Sequence, residues 1–472
     1  MTADLCFMTA TEIAQRIRHR QLSAVEVMEA HLARIDEVNG RVNAIVTLLP
    51  EKALESARQA DEKIHSGHEA GPLHGLPIAH KDSFQTAGVR TTFGSPIYAD
   101  FVPKIDDLMV ERLEQAGAIT IGKTNLPEFG AGSQTFNPVF GPTLNPYDLS
   151  KTCGGSTGGG AVALACGMHP IADGSDMGGS LRNPASFCNV VGLRPSPGRV
   201  PGWPSVMGWS PIGVDGPMAR TVEDVALLLS VMAGPDPRCP IAIREPGEWF
   251  RRPLERDFRG VRIAWCGDLG GIPFDPRVRT VIDSQRNSFE SLGCTNVDAE
   301  PDFRDADDIF RIWRALHFQV GYGHLLERHR DQLKDTVIWN IEQASSITGT
   351  QFALAEAKRT RLFHQVREFM EDVEFLILPV SQVPPFDVNQ PYVTEINGQH
   401  LETYIDWMKS CYYITVTGLP AISVPAGFTP VPEELPIGLQ IVGRHQDDWG
   451  VLQLAHAFEQ ASQWGTRRPL PL

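Results

Sequence analysis

The stretch Gly174-Ser175-Asp176-Met177-Gly178-Gly179-Ser180-Leu181-Arg182-Asn183-Pro184-Ala185 decides how the rest of this chain is read. It is a glycine-rich turn that delivers one serine past a run of backbone N–H groups with little side chain to obstruct them. Ser156 lies 24 residues earlier, in Cys153-Gly154-Gly155-Ser156-Thr157-Gly158-Gly159-Gly160. Lys81 lies 75 residues before that, in Gly75-Leu76-Pro77-Ile78-Ala79-His80-Lys81-Asp82. A hydroxyl that attacks, a second hydroxyl that passes a proton and an amine that takes it are the parts of one acyl-transfer centre.

Working outward, the three segments must meet in one cleft, so residues 1 to about 235 resist division into independent units. Apolar spacing predicts an opening helix pair over 11–38, with Thr11 before Glu12 as its cap. Strands are predicted at 75–80 and 118–122 around a helix at 107–116, then a buried helix at 161–168 and a strand at 169–172 feeding the Ser180 turn. Gly234-Pro235-Asp236-Pro237 marks a connection. Beyond it come a strand at 261–266, a helix at 275–292 and a charged, mostly helical region over 304–372. Sheet-like texture returns at 375–380, 421–424 and 437–442, before a closing helix at 449–463. The alternation predicts an α/β fold whose sheet carries helices on its faces. No internal repeat interrupts it.

Composition narrows the function. The 472 residues are 42% hydrophobic and carry 42 basic against 57 acidic side chains, a formal charge of −15. Such a surface repels phosphate backbones, so nucleic acid is excluded as the main ligand and a small neutral substrate is favoured. The eight cysteines are scattered without a C-x-x-C pair, and Met1-Thr2-Ala3-Asp4-Leu5 lacks a basic region followed by an apolar run, which predicts reduced thiols and a cytoplasmic protein. Apolar runs such as Phe375-Leu376-Ile377-Leu378-Pro379-Val380 fall short of a membrane span. None of the 14 histidines sits in H-E-x-x-H or beside paired Cys/His ligands, so neither a metal nor another cofactor is expected.

Amide cleavage needs a nucleophile, donors for the oxyanion and an acid for the departing amine. With Ser180 as nucleophile, the N–H groups of Met177, Gly178 and Gly179, together with its own, are the expected donors. Ser156 relays the proton to Lys81, whose amine must be neutral near pH 7 although its free value is about 10.4. Asp82 is expected to face away from that amine, because neighbours on an extended segment alternate. Trp203, Met207 and Trp209, beside the motif block, are candidates for an apolar pocket wall.

These motifs, together with Gly192-Leu193-Arg194-Pro195 and Gly216-Pro217-Met218-Ala219-Arg220, resemble the amidase signature family, closely over about 10–235 and more loosely over 375–445. The resemblance implies a single large mixed β-sheet core covered by helices on both faces, with a mostly helical insertion or cap region, in one domain spanning 1–472, within which 236–372 is a more variable, largely helical region. It implies a Ser–Ser–Lys triad of Lys81, Ser156 and Ser180, with a cis peptide between Gly155 and Ser156. It also implies that Ser175 supports the triad and that Gly130 presents backbone to substrate. Thr157 stands where a second serine is usual and keeps a hydroxyl; Met177 stands where threonine is common and removes one. Arg182 is a candidate to steady the nucleophile turn through its five donors.

The function implied is a cofactor-independent hydrolase that cleaves the C–N bond of a small, apolar or aryl amide through an acyl-enzyme on Ser180. Carbamate or ester hydrolysis by the same triad is the alternative, as is the glutamine-hydrolysing subunit of a tRNA-dependent amidotransferase. That subunit carries an acidic residue ten positions before the glycine of the segment matching Gly418-Leu419-Pro420, and here the position is Met408. The expected partner is a small-molecule amide, with no membrane and no nucleic acid. A homodimer is the assembly left open.

Overall fold

A computed structural model describes residues 5–469. Its central feature is an eight-stranded mixed sheet with the order Thr295–Asp298, Arg262–Trp265, Phe375–Pro379, Pro436–Val442, Ala421–Phe428, Val191–Arg194, Val214–Ala219, Ile171–Asp176. The first three strands run parallel to one another and the remaining pairings are antiparallel. Phe375–Pro379, Pro436–Val442 and Val191–Arg194 are buried at every position, as a sheet covered on both faces requires.

The period of two sorts these side chains into opposite layers. Phe375 and Ile377 join Leu439 and Ile441 on one face, beneath the helices Val222–Met232 and Asp448–Ser462. Leu376 and Leu378 point the other way, into a cluster with Phe310 and Tyr412 from the helices Ala306–His329 and Lys409–Thr417.

A smaller sheet of Ile45–Leu48, Ile119–Thr124 and Pro77–Lys81 meets the edge strand Ile171–Asp176. The join is a carboxylate: Asp173 accepts from the Lys81 backbone N–H at 2.8 Å and bonds the His80 ring. Through this join the strand that ends in Lys81 is held against the strand that leads to Ser180.

The opening helices are Ala10–Arg18 and Ala24–Val42. The first is capped by Thr9, whose hydroxyl accepts from Glu12 N at 3.1 Å; Thr11 lies inside the helix and bonds Asp224 instead. The helix expected over 275–292 is two, Pro276–Asp283 and Arg286–Ser291, with Ser284 between them bonding the Val281 carbonyl. Within 236–372, the strands Arg262–Trp265 and Thr295–Asp298 extend the main sheet, and the helices Ala306–His329, Asp335–Ala344 and Gly349–Asp372 follow. No helix among the described residues is long and apolar enough to cross a membrane.

Candidate active site

Lys81 ends its strand only 1% exposed. Its Nζ lies 2.8 Å from Ser156 Oγ, 3.0 Å from Ser175 Oγ and 3.1 Å from Thr157 Oγ1. Burial pulls the amine down to about 8, against the carboxylates of Asp215, Asp176 and Asp173, which oppose the shift. Three hydroxyl partners suit either form of the group. An ammonium donates to all three, whereas a neutral amine donates two N–H groups and accepts from the third hydroxyl on its lone pair. Asp82 faces away, as expected, with Thr92 donating to its carboxylate from backbone N–H and hydroxyl.

Ser156 follows a cis peptide bond from Gly155. The Gly155 carbonyl accepts from Ser133 Oγ at 2.6 Å, and the Gly154 carbonyl accepts from Thr135 Oγ1 at 2.8 Å. Gly130 has φ +69, and a Cβ there would stand 3.5 Å from Ser156 Oγ, so backbone lines this side of the site. Thr157 N donates to the Ser180 carbonyl at 3.2 Å, tying the two serine loops together. Ser180 is half-buried and lines a cavity of about 360 Å³ with Lys81, Ser156 and Ser175. Among the described residues no hydrogen bond joins the Ser156 and Ser180 hydroxyls; both serines line the same cavity, and their loops are linked by the Thr157–Ser180 backbone bond.

The turn that carries Ser180 is built around Asp176, to which the sequence reading gave no role. Its carboxylate accepts from Gly179 N at 3.0 Å, Leu181 N at 3.1 Å and two nitrogens of Arg182 at 3.0 and 2.8 Å. Burial resists its ionisation, but Arg182 and Arg194 prevail and hold the carboxyl well below the usual range. Arg182, fully buried, also donates to the Cys411 carbonyl, Gln440 Oε1 and Thr415 Oγ1, so it pins the turn to the helix Lys409–Thr417 and the sheet.

This network changes the oxyanion assignment. Gly179 spends its N–H on Asp176, whereas Met177, Gly178 and Ser180 give theirs to no acceptor among the described residues. Glycine at 179 is still required, because φ is +108 and a Cβ would stand 2.7 Å from Cys411 Cβ. At 178 the neighbour a Cβ would meet is Phe310, at 3.2 Å.

Of the expected pocket residues, Trp203 and Met207 line the cavity. Trp209 does not: it is 77% exposed on the outside of the same loop. The cavity adds side chains that sequence reasoning missed. Asp215 sits opposite Ser175 in the antiparallel ladder, hence on the same face as Ser175 and the amine of Lys81. Burial pushes it to about 7, with Lys81 opposing. Asp107 accepts from Gln85 N at 3.0 Å and is pushed to about 8, by burial first and Asp215 second. Arg314 and His317 come from the helix Ala306–His329, in the region for which no motif could be named. The spacing of Asp176 and Arg182, six apart across a glycine turn, is a signal that could have found the pair; nothing in the sequence marks Arg314 or His317.

A buried lysine of lowered basicity, bonded to one serine beside a second serine and near free backbone donors along the turn, has the parts of a serine hydrolase whose base is an amine. Comparison with known proteins gives the family. The family model described as Amidase matches residues 26–452. An acylamidase of Rhodococcus erythropolis is 35% identical over 471 residues, covering 99% of this chain and 98% of that one. A glutamyl-tRNA(Gln) amidotransferase subunit of Methylococcus capsulatus is 33% identical, covering 98% of each. The crystal structure of a bacterial aryl acylamidase of the amidase signature family superposes with a TM-score of 0.90 at 29% identity, covering 98% of this chain and 99% of its own. The chain belongs to the amidase signature family, and it is an amidase-type hydrolase.

Proposed function

We propose that the protein hydrolyses a small amide through an acyl-enzyme on Ser180, with Lys81 as base and Ser156 as relay. The observation that carries this is the buried Lys81 amine, 2.8 Å from Ser156 Oγ and lowered to about 8. Neutral Lys81 accepts the Ser156 proton while Ser156 accepts that of Ser180, and the Ser180 oxygen bonds the carbonyl carbon. The N–H groups of Met177, Gly178 and Ser180 meet the oxyanion; Gly179 is left out of that role because Asp176 holds it. Each such donor is typically worth about 3–4 kcal/mol of barrier. On collapse the C–N bond breaks as the nitrogen takes the proton back through Ser156. A water then repeats the sequence on the ester and frees the acid.

Thr157 and Ser175 hold the amine on target, and Gly130 offers backbone beside Ser156. Trp203 and Met207 supply apolar wall, which favours an acyl or aryl group over a bare polar amide. An ester differs from an amide in its leaving atom, and a carbamate carries both nitrogen and oxygen on the carbonyl carbon; both are within reach of the same centre.

The glutamine-hydrolysing reading is raised by relatives named as amidotransferase subunits. Against it, Met408 is buried in an apolar cluster, 3% exposed, and offers no charge to an α-ammonium. Incubation with an activated amide followed by mass spectrometry tests the proposal. One acyl group on the peptide containing Ser180 is expected; turnover with no adduct under any quench, and full activity in Ser180→Ala, would overturn it.

A further inference from the structure

The cavity wall opposite the motif strands comes from the helix Ala306–His329, where Arg314 and His317 stand three residues apart on one face. Four arginines are buried among the described residues: Arg182, Arg194, Arg199 and Arg314. The first three each pair with a carboxylate, Asp176 or Asp448. Arg314, 4% exposed, pairs with none among the described residues. Its Nε donates to Asn340 Oδ1 at 2.8 Å, and one terminal nitrogen donates to Tyr404 Oη at 2.7 Å. The other terminal nitrogen donates, among the described residues, to the Met177 sulfur alone, at 3.7 Å, and the guanidinium lies against the rings of Phe310, Phe318 and Tyr404. A buried guanidinium facing amide, phenol and thioether has lost its water without gaining a counter-charge.

His317 is incomplete in the same place. Its Nδ1 is buried and bonds nothing among the described residues. Burial, then the charge of Arg314, lowers the imidazole to about 4, so near neutrality it is an uncharged ring with one N–H to give. The cavity's acids do not supply the missing charge: Asp176 is taken up by Arg182 and Arg194, and among the described residues neither Asp107 nor Asp215 forms an ion pair with Arg314. Met177 belongs to the turn whose free N–H groups are proposed above to meet the oxyanion, and its sulfur links that turn to the Arg314 guanidinium.

We infer that Arg314 and His317 form a carboxylate-binding subsite, and that the amide hydrolysed carries a carboxylate a few bonds from its scissile carbonyl. The guanidinium gives its free N–H groups to one carboxylate oxygen, and the imidazole N–H serves the other. Phe318, whose ring lies 4.8 Å from the Arg314 guanidinium, walls the subsite from water. The inference rests on the amide-hydrolase reading above, and it names the substrate class for that site.

The test uses two matched pairs of anilides on the full-length enzyme. Glutaric acid mono-4-nitroanilide against pentanoyl-4-nitroanilide places the carboxylate on the acyl side. 4-Acetamidobenzoate against 4-nitroacetanilide places it on the leaving side. Comparing wild type with Arg314→Met within each substrate cancels intrinsic reactivity. In one arm, kcat/KM for the carboxylate-bearing member should fall at least about ten-fold more than for its neutral partner, the loss expected for one charged hydrogen bond. Arg314→Lys should recover part of that ratio. The arm that responds identifies the side bearing the acid. Equal losses for both members in both arms would make Arg314 purely structural and overturn the inference. Should Arg314→Met not fold, wild-type inhibition decides: glutarate binding no more tightly than pentanamide, and benzoate no more tightly than benzamide, would also overturn it. Turnover of the neutral anilides without carboxylate preference sinks this inference alone, whereas no turnover and no Ser180 adduct with any anilide sinks the reading beneath it.

Discussion

The two walls of the cavity are built on opposite plans. On the motif wall Asp176 is answered by Arg182 and Arg194 and the Lys81 amine by three hydroxyls, while the backbone N–H groups of Met177, Gly178 and Ser180 stay open among the described residues. On the helical wall Arg314 meets no carboxylate and His317 Nδ1 meets nothing among the described residues. A satisfied network fixes geometry, as bond-making requires, because a displaced nucleophile loses its alignment. Buried groups without partners call for an explanation, and in the carboxylate-subsite proposal a ligand completes Arg314 and His317. Changes on the first wall should therefore reduce turnover of every substrate together, and changes on the second should re-rank substrates.

The largest structural effect is expected from Arg182→Met. It takes from the buried Asp176 carboxylate its closer partner, and breaking such a pair typically costs about 3–5 kcal/mol. A denaturation midpoint within error of wild type would deny Asp176 and Arg182 their place as the frame of the nucleophile turn. Next in size is the pH dependence. In the proposed mechanism neutral Lys81 is the active form, so kcat/KM should rise with pH and level off above about 8. Asp215 is the foremost carboxylate opposing that lowered value, so Asp215→Asn should move the rise to lower pH. A rise that stays in place would remove Asp215 from the electrostatics of the base.

The smallest effects separate the pocket loop's two tryptophans. Trp203→Ala should change KM for aryl amides more than for short alkyl amides. Trp209→Ala, at an exposed position, should leave both within about two-fold, the usual scale for surface substitutions of about ±0.5 kcal/mol. Equal consequences for the two would erase the distinction between lining and outer face.

Much of this was legible because the chemistry is local in sequence. Glycine spacing marked the turn that carries Ser180, and the alternation of short apolar runs with helical ones predicted an α/β sheet with helices on its faces, which the eight-stranded sheet bears out. Thr9 displaced Thr11 as a cap because composition names a capping residue type and only geometry chooses among neighbours. Gly179 left the set of free donors because Asp176 folds back three residues to take its N–H. Trp209 left the pocket because a loop without periodicity gives no means of telling its inner side from its outer. Arg314 was illegible for a different reason. One arginine on an amphipathic helix looks like any other until the absence of a carboxylate around it can be seen.

The central claim is that a neutral Lys81 drives acylation of Ser180 through Ser156, and the rate of acyl-adduct formation tests it most directly. That rate is to be measured near neutral pH with an activated amide in wild type and Lys81→Ala. The account predicts a fall of about 10²- to 10⁴-fold, the usual worth of a positioned general base. Adduct formation at the wild-type rate in the folded variant would contradict it.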